Sequence, residues 1–270
     1  MIKKPTDAVD LTCRLAGEVA IVTGGSQGIG QAVASRLAAE GAAVAILART
    51  AQNVSRATDE LLARGAQAMG VPCDVTDRAQ VHSAVEQVVS KFGRVTVLIN
   101  HAGLFKHAPF VDMTDEMWDE IIRVNLTGMF IVGQEVARQM VAQGLGGRIV
   151  NMSSVAGRIA HSDQTAYGVT KAGIESMTRS MAMDLAPYGI IVNAVAPGTI
   201  ETPFSVGNLS EEAVAKRVGR IPLGRLGLPE EVAAVIAMLA SRDAAYVTGA
   251  VLAIDGGLTV GGIRAQAKPQ

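Results

Sequence analysis

Short, continuous apolar runs alternate with helix-period segments almost from end to end of this chain, and nothing else constrains its fold as strongly. Val19–Thr23, Ala43–Ala48, Ala68–Cys73, Val95–Ile99, Arg148–Met152, Ile190–Val195 and Val251–Ile254 read as strands. They lack in–out alternation, so both faces of their sheet must be covered. Between them, Gln31–Glu40, Asn53–Arg64, Arg78–Phe92, a long stretch within Asp115–Ala142, Thr165–Ala186 and Glu230–Ala240 carry apolar residues at helical spacing. This order specifies an α/β, doubly wound parallel sheet of about seven strands with right-handed crossovers and helices on both faces. No linker divides it, so one domain is expected over residues 15–258, with tails at 1–14 and 259–270.

Composition narrows the partners. Apolar residues make up 49% and charged residues 18% of the 270, which excludes disorder. Lys plus Arg number 24 against 25 for Asp plus Glu, with no basic block, so neither nucleic acid nor an anionic membrane is an expected partner. The longest uncharged window, Leu185–Ile200, contains Pro187, Asn193 and Pro197 and is too short for a membrane span. Met1–Asp10 has no apolar stretch of a secretory signal, and Cys13 and Cys73 match no metal or redox spacing. A cytoplasmic protein is expected.

Thr23-Gly24-Gly25-Ser26-Gln27-Gly28-Ile29-Gly30 follows the first strand and opens a helix. Glycines let a backbone turn sharply against a diphosphate, and a helix N-terminus presents free N–H groups and a positive dipole end to it. The second strand ends Ala48-Arg49-Thr50, with no acid to accept ribose hydroxyls and a guanidinium able to grip a 2′-phosphate. NADP(H) is therefore favoured, with NAD(H) possible. Gln27 adds no second cation.

Tyr167 and Lys171 lie one turn apart on a helix face, and Ser154 precedes them at the carboxyl end of the fifth strand. With these residues, Asn100-His101-Ala102-Gly103, Asn125, Pro197-Gly198, Asp74-Val75, Gly224-Arg225-Leu226-Gly227 and Asp255-Gly256-Gly257 occur in the order and spacing of a known family. Over residues 15–258 the chain resembles the short-chain dehydrogenases/reductases, in particular the group that holds 3-oxoacyl-carrier-protein reductases and polyol dehydrogenases.

The resemblance implies a Rossmann-type fold and a set of roles. Tyr167 is the general acid/base, its pKa lowered by Lys171 and the nicotinamide, and Lys171 also bonds the nicotinamide ribose. Ser154 donates to the substrate oxygen, and Asn125 holds a water that links Lys171 to solvent. Cofactor contacts fall to Gly24, Ser26, Gln27, Gly28, Ile29, Gly30, Arg49, Asp74 and Val75 at the adenine side. Asn100, Ala102, Gly103, Pro197, Gly198, Ile200 and Thr202 line the rest of the cleft, with Tyr167 and Lys171 at its reactive end. His101 departs from the family's usual Asn, and with His107 it does not make a metal site.

The expected reaction is hydride transfer between NADP(H) and a secondary alcohol or ketone. The alternative is reduction of a 3-oxoacyl carrier protein, against which Leu145 and Tyr188 stand uncharged where carrier-docking cations would be compared. A further reading is a non-catalytic cofactor sensor, which the retained Tyr and Lys disfavour. Residues 199–222 are expected to form a lid with apolar Phe204, Val206 and Leu209. Tyr188 and Tyr246 are expected to be packing residues with a hydroxyl at the surface. A homotetramer or dimer through the long helices after the fourth and fifth strands is implied.

Overall fold

The computed structural model describes residues 13–202, 205 and 210–260. Seven strands form one parallel sheet: β1 (Val19–Thr23), β2 (Ala43–Ala48), β3 (Ala68–Pro72), β4 (Val97–Asn100), β5 (Gly147–Met152), β6 (Ile190–Pro197) and β7 (Val251–Ile254). Their order is β3-β2-β1-β4-β5-β6-β7. The chain leaves β1 toward one edge and returns on its other side at β4. That reversal opens a crevice beyond the carboxyl ends of β1 and β4, where ligands of such sheets bind.

The central strands are buried because consecutive side chains serve two cores. Val22, Ile46, Ile99 and Val150 face α1 (Gly28–Ala39) and α8 (Pro229–Ala240), where Val33, Leu37, Val232 and Ile236 receive them. Ile21, Leu47, Leu98 and Ile149 face the opposite side, against Val81 and Val85 of α3 (Arg78–Phe92) and Val132 and Val136 of α5 (Gly128–Gln143). Each such side chain contributes about 1.5–3 kcal/mol on burial. Both cores would lose their partners if a strand slipped by one residue, so the register is fixed by the two-sided burial.

Local chemistry sets the ends of the elements. α2 (Ala51–Ala63) follows β2, and Asp77 caps α3 by accepting from Ala79 N at 2.9 Å and Gln80 N at 3.2 Å. α6 (Thr165–Leu185) carries Tyr167 and Lys171, and α7 (Glu211–Val218) is capped by Ser210. Boundaries differ from the sequence reading by up to three residues. β4 begins at Val97, because the Thr96 hydroxyl takes the place of a ladder group by accepting from Val19 N at 2.9 Å. The stretch expected within Asp115–Ala142 is divided: α4 (Asp115–Ile122) passes through a π turn, Arg123–Thr127, into α5.

One expectation, for two tyrosines, changes. Tyr188 and Tyr246 are exposed rather than packed. Phe204, Val206 and Leu209, expected as an apolar lid, lie outside the described residues, as do most of both tails. Among the described residues no helix is long and apolar enough to cross a membrane, and no group of His, Cys, Asp and Glu could hold a metal ion.

Candidate active site

The fold brings three predicted side chains together at the carboxyl end of β5. Ser154 follows β5 with an extended backbone, and its Oγ accepts from Ala156 N at 3.2 Å, capping a short 3-10 turn. Tyr167 sits in the first turn of α6, and Lys171 one turn later. The Lys171 Nζ lies 5.4 Å from the Tyr167 ring centroid and donates to Met152 O at 2.8 Å, so its ammonium is tied to the last residue of β5. Ser153 is turned the other way. It is buried and donates to Lys171 O at 3.1 Å and to Glu175 Oε1 at 3.3 Å, which leaves Ser154 as the serine that faces the cleft.

Burial governs the electrostatics of this group. The Tyr167 phenol is pushed up to about 12 by desolvation, and a hydrogen bond with Ser154 opposes the rise. Lys171 is pushed down to about 8, again by desolvation. In the protein without a cofactor's charge beside it, the loss of water around the phenolate sets the direction of the shift. Phe105, which the sequence did not single out, packs edge-on to Tyr167 with ring centroids 5.0 Å apart and helps to exclude that water.

The turn after β1 fits a dinucleotide diphosphate. Gly24 has φ +68°, and Gly30 passes so close to it that a Cβ on Gly30 would lie 2.2 Å from Gly24 O. Only glycine permits that approach. Gln27, the residue before α1, is extended, no side chain caps the helix, and its first turn carries no acid. The first-turn N–H groups are therefore left to an anion. Ser26 is buried within the turn, Ile29 packs on the core below it, and the Thr202 Cγ2 lies 3.7 Å from where a Cβ on Gly28 would stand. Thr202 thus covers the turn from the β6 side.

The rest of the cleft divides into residues that face it and residues that hold it from behind. His101 N and Ala102 N both donate to Thr23 Oγ1, at 2.9 and 3.0 Å, which fastens the β4 loop to the end of β1. A Cβ on Gly103 would lie 3.1 Å from Asn125 Oδ1. Arg49 is exposed at the end of β2, and after the hydrogen bond from Lys106 and the charge of Arg123 it adds to what holds the Glu120 carboxyl low. Asp74 is half-buried, with Oδ1 accepting from Thr76 N at 2.9 Å. Val75 is buried toward α5, where a Cβ on Gly128 would lie 2.9 Å from its Cγ2. Pro197 closes β6, and Gly198 N donates to Ile254 O at 3.0 Å.

Three expected contacts are placed differently. The Asn100 side chain is buried beneath the cleft rather than lining it, and its Nδ2 donates to Met129 O at 2.8 Å. Asn125 lies in the π turn, and its amide is taken up by Leu104: Nδ2 donates to Leu104 O at 2.8 Å, and Oδ1 accepts from Leu104 N at 2.7 Å. Its side chain therefore clamps the β4 loop. The Ile200 side chain is buried in the core.

Comparisons with known proteins agree with this geometry. A family profile described as "Enoyl-(Acyl carrier protein) reductase" matches residues 24–259. The chain is 46% identical over 252 residues to the 3-oxoacyl-(acyl-carrier-protein) reductase FabG of Thermotoga maritima, covering 92% of this chain and 100% of that protein. It is 42% identical over 247 residues to the cis-4-hydroxycyclohexanecarboxylate dehydrogenase of Sinomonas cyclohexanicum, covering 90% of this chain and 97% of that one. The crystal structure of a short-chain type dehydrogenase/reductase from Mycobacterium marinum superposes with a TM-score of 0.88 at 37% identity, over 93% of this chain and 98% of that chain. A profile that runs from the glycine turn past β7, on a sheet that gathers Ser154, Tyr167 and Lys171 at its crevice, makes the chain a member of the short-chain dehydrogenase/reductase family, NAD(P)-dependent oxidoreductases acting on CH–OH or C=O groups.

Proposed function

We propose that the protein transfers hydride between NADP(H) and a secondary alcohol or its ketone, with the catalytic unit spanning residues 15–258. The observation that carries this reading is the convergence of Ser154, the half-buried Tyr167 and Lys171 beside the glycine turn. When bound, the nicotinamide supplies or accepts the hydride. The chain handles the oxygen and its proton. With its phenol pushed up to about 12, Tyr167 is fully protonated at neutral pH and serves as a proton source to a carbonyl oxygen. The Ser154 hydroxyl donates to the same oxygen and stabilises the charge that builds on it during reduction. Lys171, fixed by Met152 O, keeps a positive charge next to the phenolate that forms and is placed to bond the ribose. In the oxidative direction Tyr167 would take the alcohol's proton as phenolate, and Lys171 is the chain's own charge placed beside that phenolate.

The preference for NADP(H) rests on exposed Arg49 at the end of β2 and the absence of an acid there. Two substrate classes remain, each with a relative behind it. The FabG name favours a 3-oxoacyl thioester on a carrier protein, whereas the Sinomonas enzyme's name favours a small free alcohol. Leu145 and Tyr188 are exposed and uncharged and offer an acidic carrier no cation, which supports the small substrate. Loss of NADPH absorbance with a panel of ketones, sugars and acyl thioesters tests the reading. Turnover of a free ketone supports it, turnover of acyl thioesters alone favours the second class, and no turnover of any carbonyl overturns both.

Assembly belongs to the same reading. The Ala-, Met- and Gly-bearing faces of α5 and α6, with Phe130, Val169 and Met183 exposed along them, suit a symmetric dimer or tetramer in the cytoplasm. Sedimentation at micromolar concentration should give a dimer or tetramer, and a monomer would contradict it.

A further inference from the structure

His101 occupies the floor of the crevice, between the turn after β1 and Lys171. Its Cδ2 is one of the atoms nearest to the glycines of that turn, 3.2 Å from where a Cβ on Gly24 would stand and 2.8 Å from one on Gly30. The ring is thus wedged under the closest pair of residues in the phosphate turn. Its backbone N–H is fixed by Thr23 Oγ1, and the clamp of Asn125 on Leu104 holds the loop that follows.

The two ring nitrogens stand in different surroundings. Nδ1 is sealed from solvent and has no hydrogen-bond partner. A buried N–H without an acceptor is costlier and rarer than a buried lone pair, so the proton belongs on Nε2. Nε2 is bonded to Cδ2 and is therefore carried on the ring edge turned toward Gly24 and Gly30. Burial and the nearby Lys171 charge both disfavour the imidazolium, whose pKa is pushed down to about 4. At neutral pH His101 is thus an uncharged donor beside a turn whose first-turn N–H groups are uncapped.

We propose that His101 is a cofactor-binding residue, a neutral Nε2–H donor that adds a side-chain hydrogen bond to the backbone N–H groups that hold the dinucleotide diphosphate. The proposal rests on the dinucleotide reading of this crevice and extends it to a side chain where the family's usual residue is Asn. A neutral donor suits the position better than a cation would. It binds phosphate oxygen without setting a second charge against Lys171, which the reaction needs protonated. An Asn amide is also a neutral donor, so the two residue types can do the same work, the imidazole with the longer reach.

The test combines spectroscopy on the wild-type protein with binding by variants. The chain has four histidines, so 15N-histidine labelling with His101→Asn as the assignment control isolates one signal. In the free protein at pH 7 that signal should show the Nε2–H tautomer, and adding NADPH should shift the Nε2 resonance. Titration of protein fluorescence with NADPH should then show His101→Leu weakened by at least about tenfold, the scale of one hydrogen bond to a charged group, and His101→Asn restored to within about threefold of wild type. An Nδ1–H tautomer, an Nε2 resonance unmoved by NADPH, or wild-type affinity in folded His101→Leu would overturn the assignment. If His101→Leu fails to fold, the tautomer and the resonance shift decide alone. Should the wild-type protein bind neither NADPH nor NADH, it is the dinucleotide reading itself that fails.

Discussion

A methyl group at Gly30 probes the phosphate turn more directly than any change of charge. The added Cβ would lie 2.2 Å from Gly24 O and 2.8 Å from both Gly24 C and His101 Cδ2. The first two are backbone atoms and cannot swing aside as the end of a flexible side chain would. Relieving the contact requires the turn or the start of α1 to move by about 1 Å in an interior packed without slack. Overpacking of this kind costs about 1–3 kcal/mol of stability. The larger effect falls on binding. A diphosphate hydrogen bond stretched by about 1 Å is lost, and at about 1.5–3 kcal/mol for a bond to a charged group, losing one weakens the cofactor by at least about tenfold. Losing two weakens it by a hundredfold or more on the same scale. Gly144→Ala is the control: it has φ +65° with nothing within 4 Å, so only backbone strain of about 1–2 kcal/mol is expected there. Thermal unfolding with and without NADPH separates the two. Gly30→Ala should lose most of the shift that NADPH confers, while Gly144→Ala should melt lower yet keep it. Gly30→Ala that binds NADPH as tightly as wild type would mean that the turn does not hold the diphosphate.

Cofactor choice and proton linkage give two further outcomes. NADP(H) should bind at least about tenfold more tightly than NAD(H), the scale of one charge-assisted phosphate contact at Arg49, and Ala48→Asp combined with Arg49→Ser should reverse the order; equal affinities in wild type would place Arg49 outside the site. Lys171 has its pKa pushed from 10.5 down to about 8, so between those values the unfolded chain binds more protons and this residue makes stability rise with pH. Urea midpoints at pH 7.5 and 9.5 should therefore move in favour of wild type relative to Lys171→Met, before Tyr167, pushed up from 10.0 to about 12, acts in the opposite direction at higher pH. Parallel profiles would show that Lys171 is not buried as described.

What could be read from the sequence was whatever depends on short-range spacing. The seven strands announce themselves because residues such as Val22 and Ile21 serve opposite cores, which requires continuous apolar runs. Tyr167 and Lys171 could be paired because an α-helix sets residues four apart on one face. The orientation of Asn100 and Asn125 could not be read. Asn125 turns to Leu104 through a π turn, which inserts an offset that apolar periodicity over Asp115–Ala142 does not reveal. The rise of the Tyr167 phenol in the protein alone is hidden from the sequence for a related reason. Desolvation depends on what covers the phenol in space, and Phe105, 62 residues away in the chain, carries no mark of that contact. His101 was visible only as a departure from a pattern, and its sealed Nδ1 is a property of the assembled crevice.

The central claim is that Tyr167 moves the proton while the remainder of the cleft binds the cofactor. The measurement that tests it most directly is turnover and NADPH affinity in Tyr167→Phe, a change that removes one oxygen and keeps the ring against Phe105. Turnover of the best ketone in the panel should fall by orders of magnitude, while the dissociation constant for NADPH stays within a few-fold of wild type. A Tyr167→Phe enzyme that keeps a substantial fraction of its turnover would contradict the account.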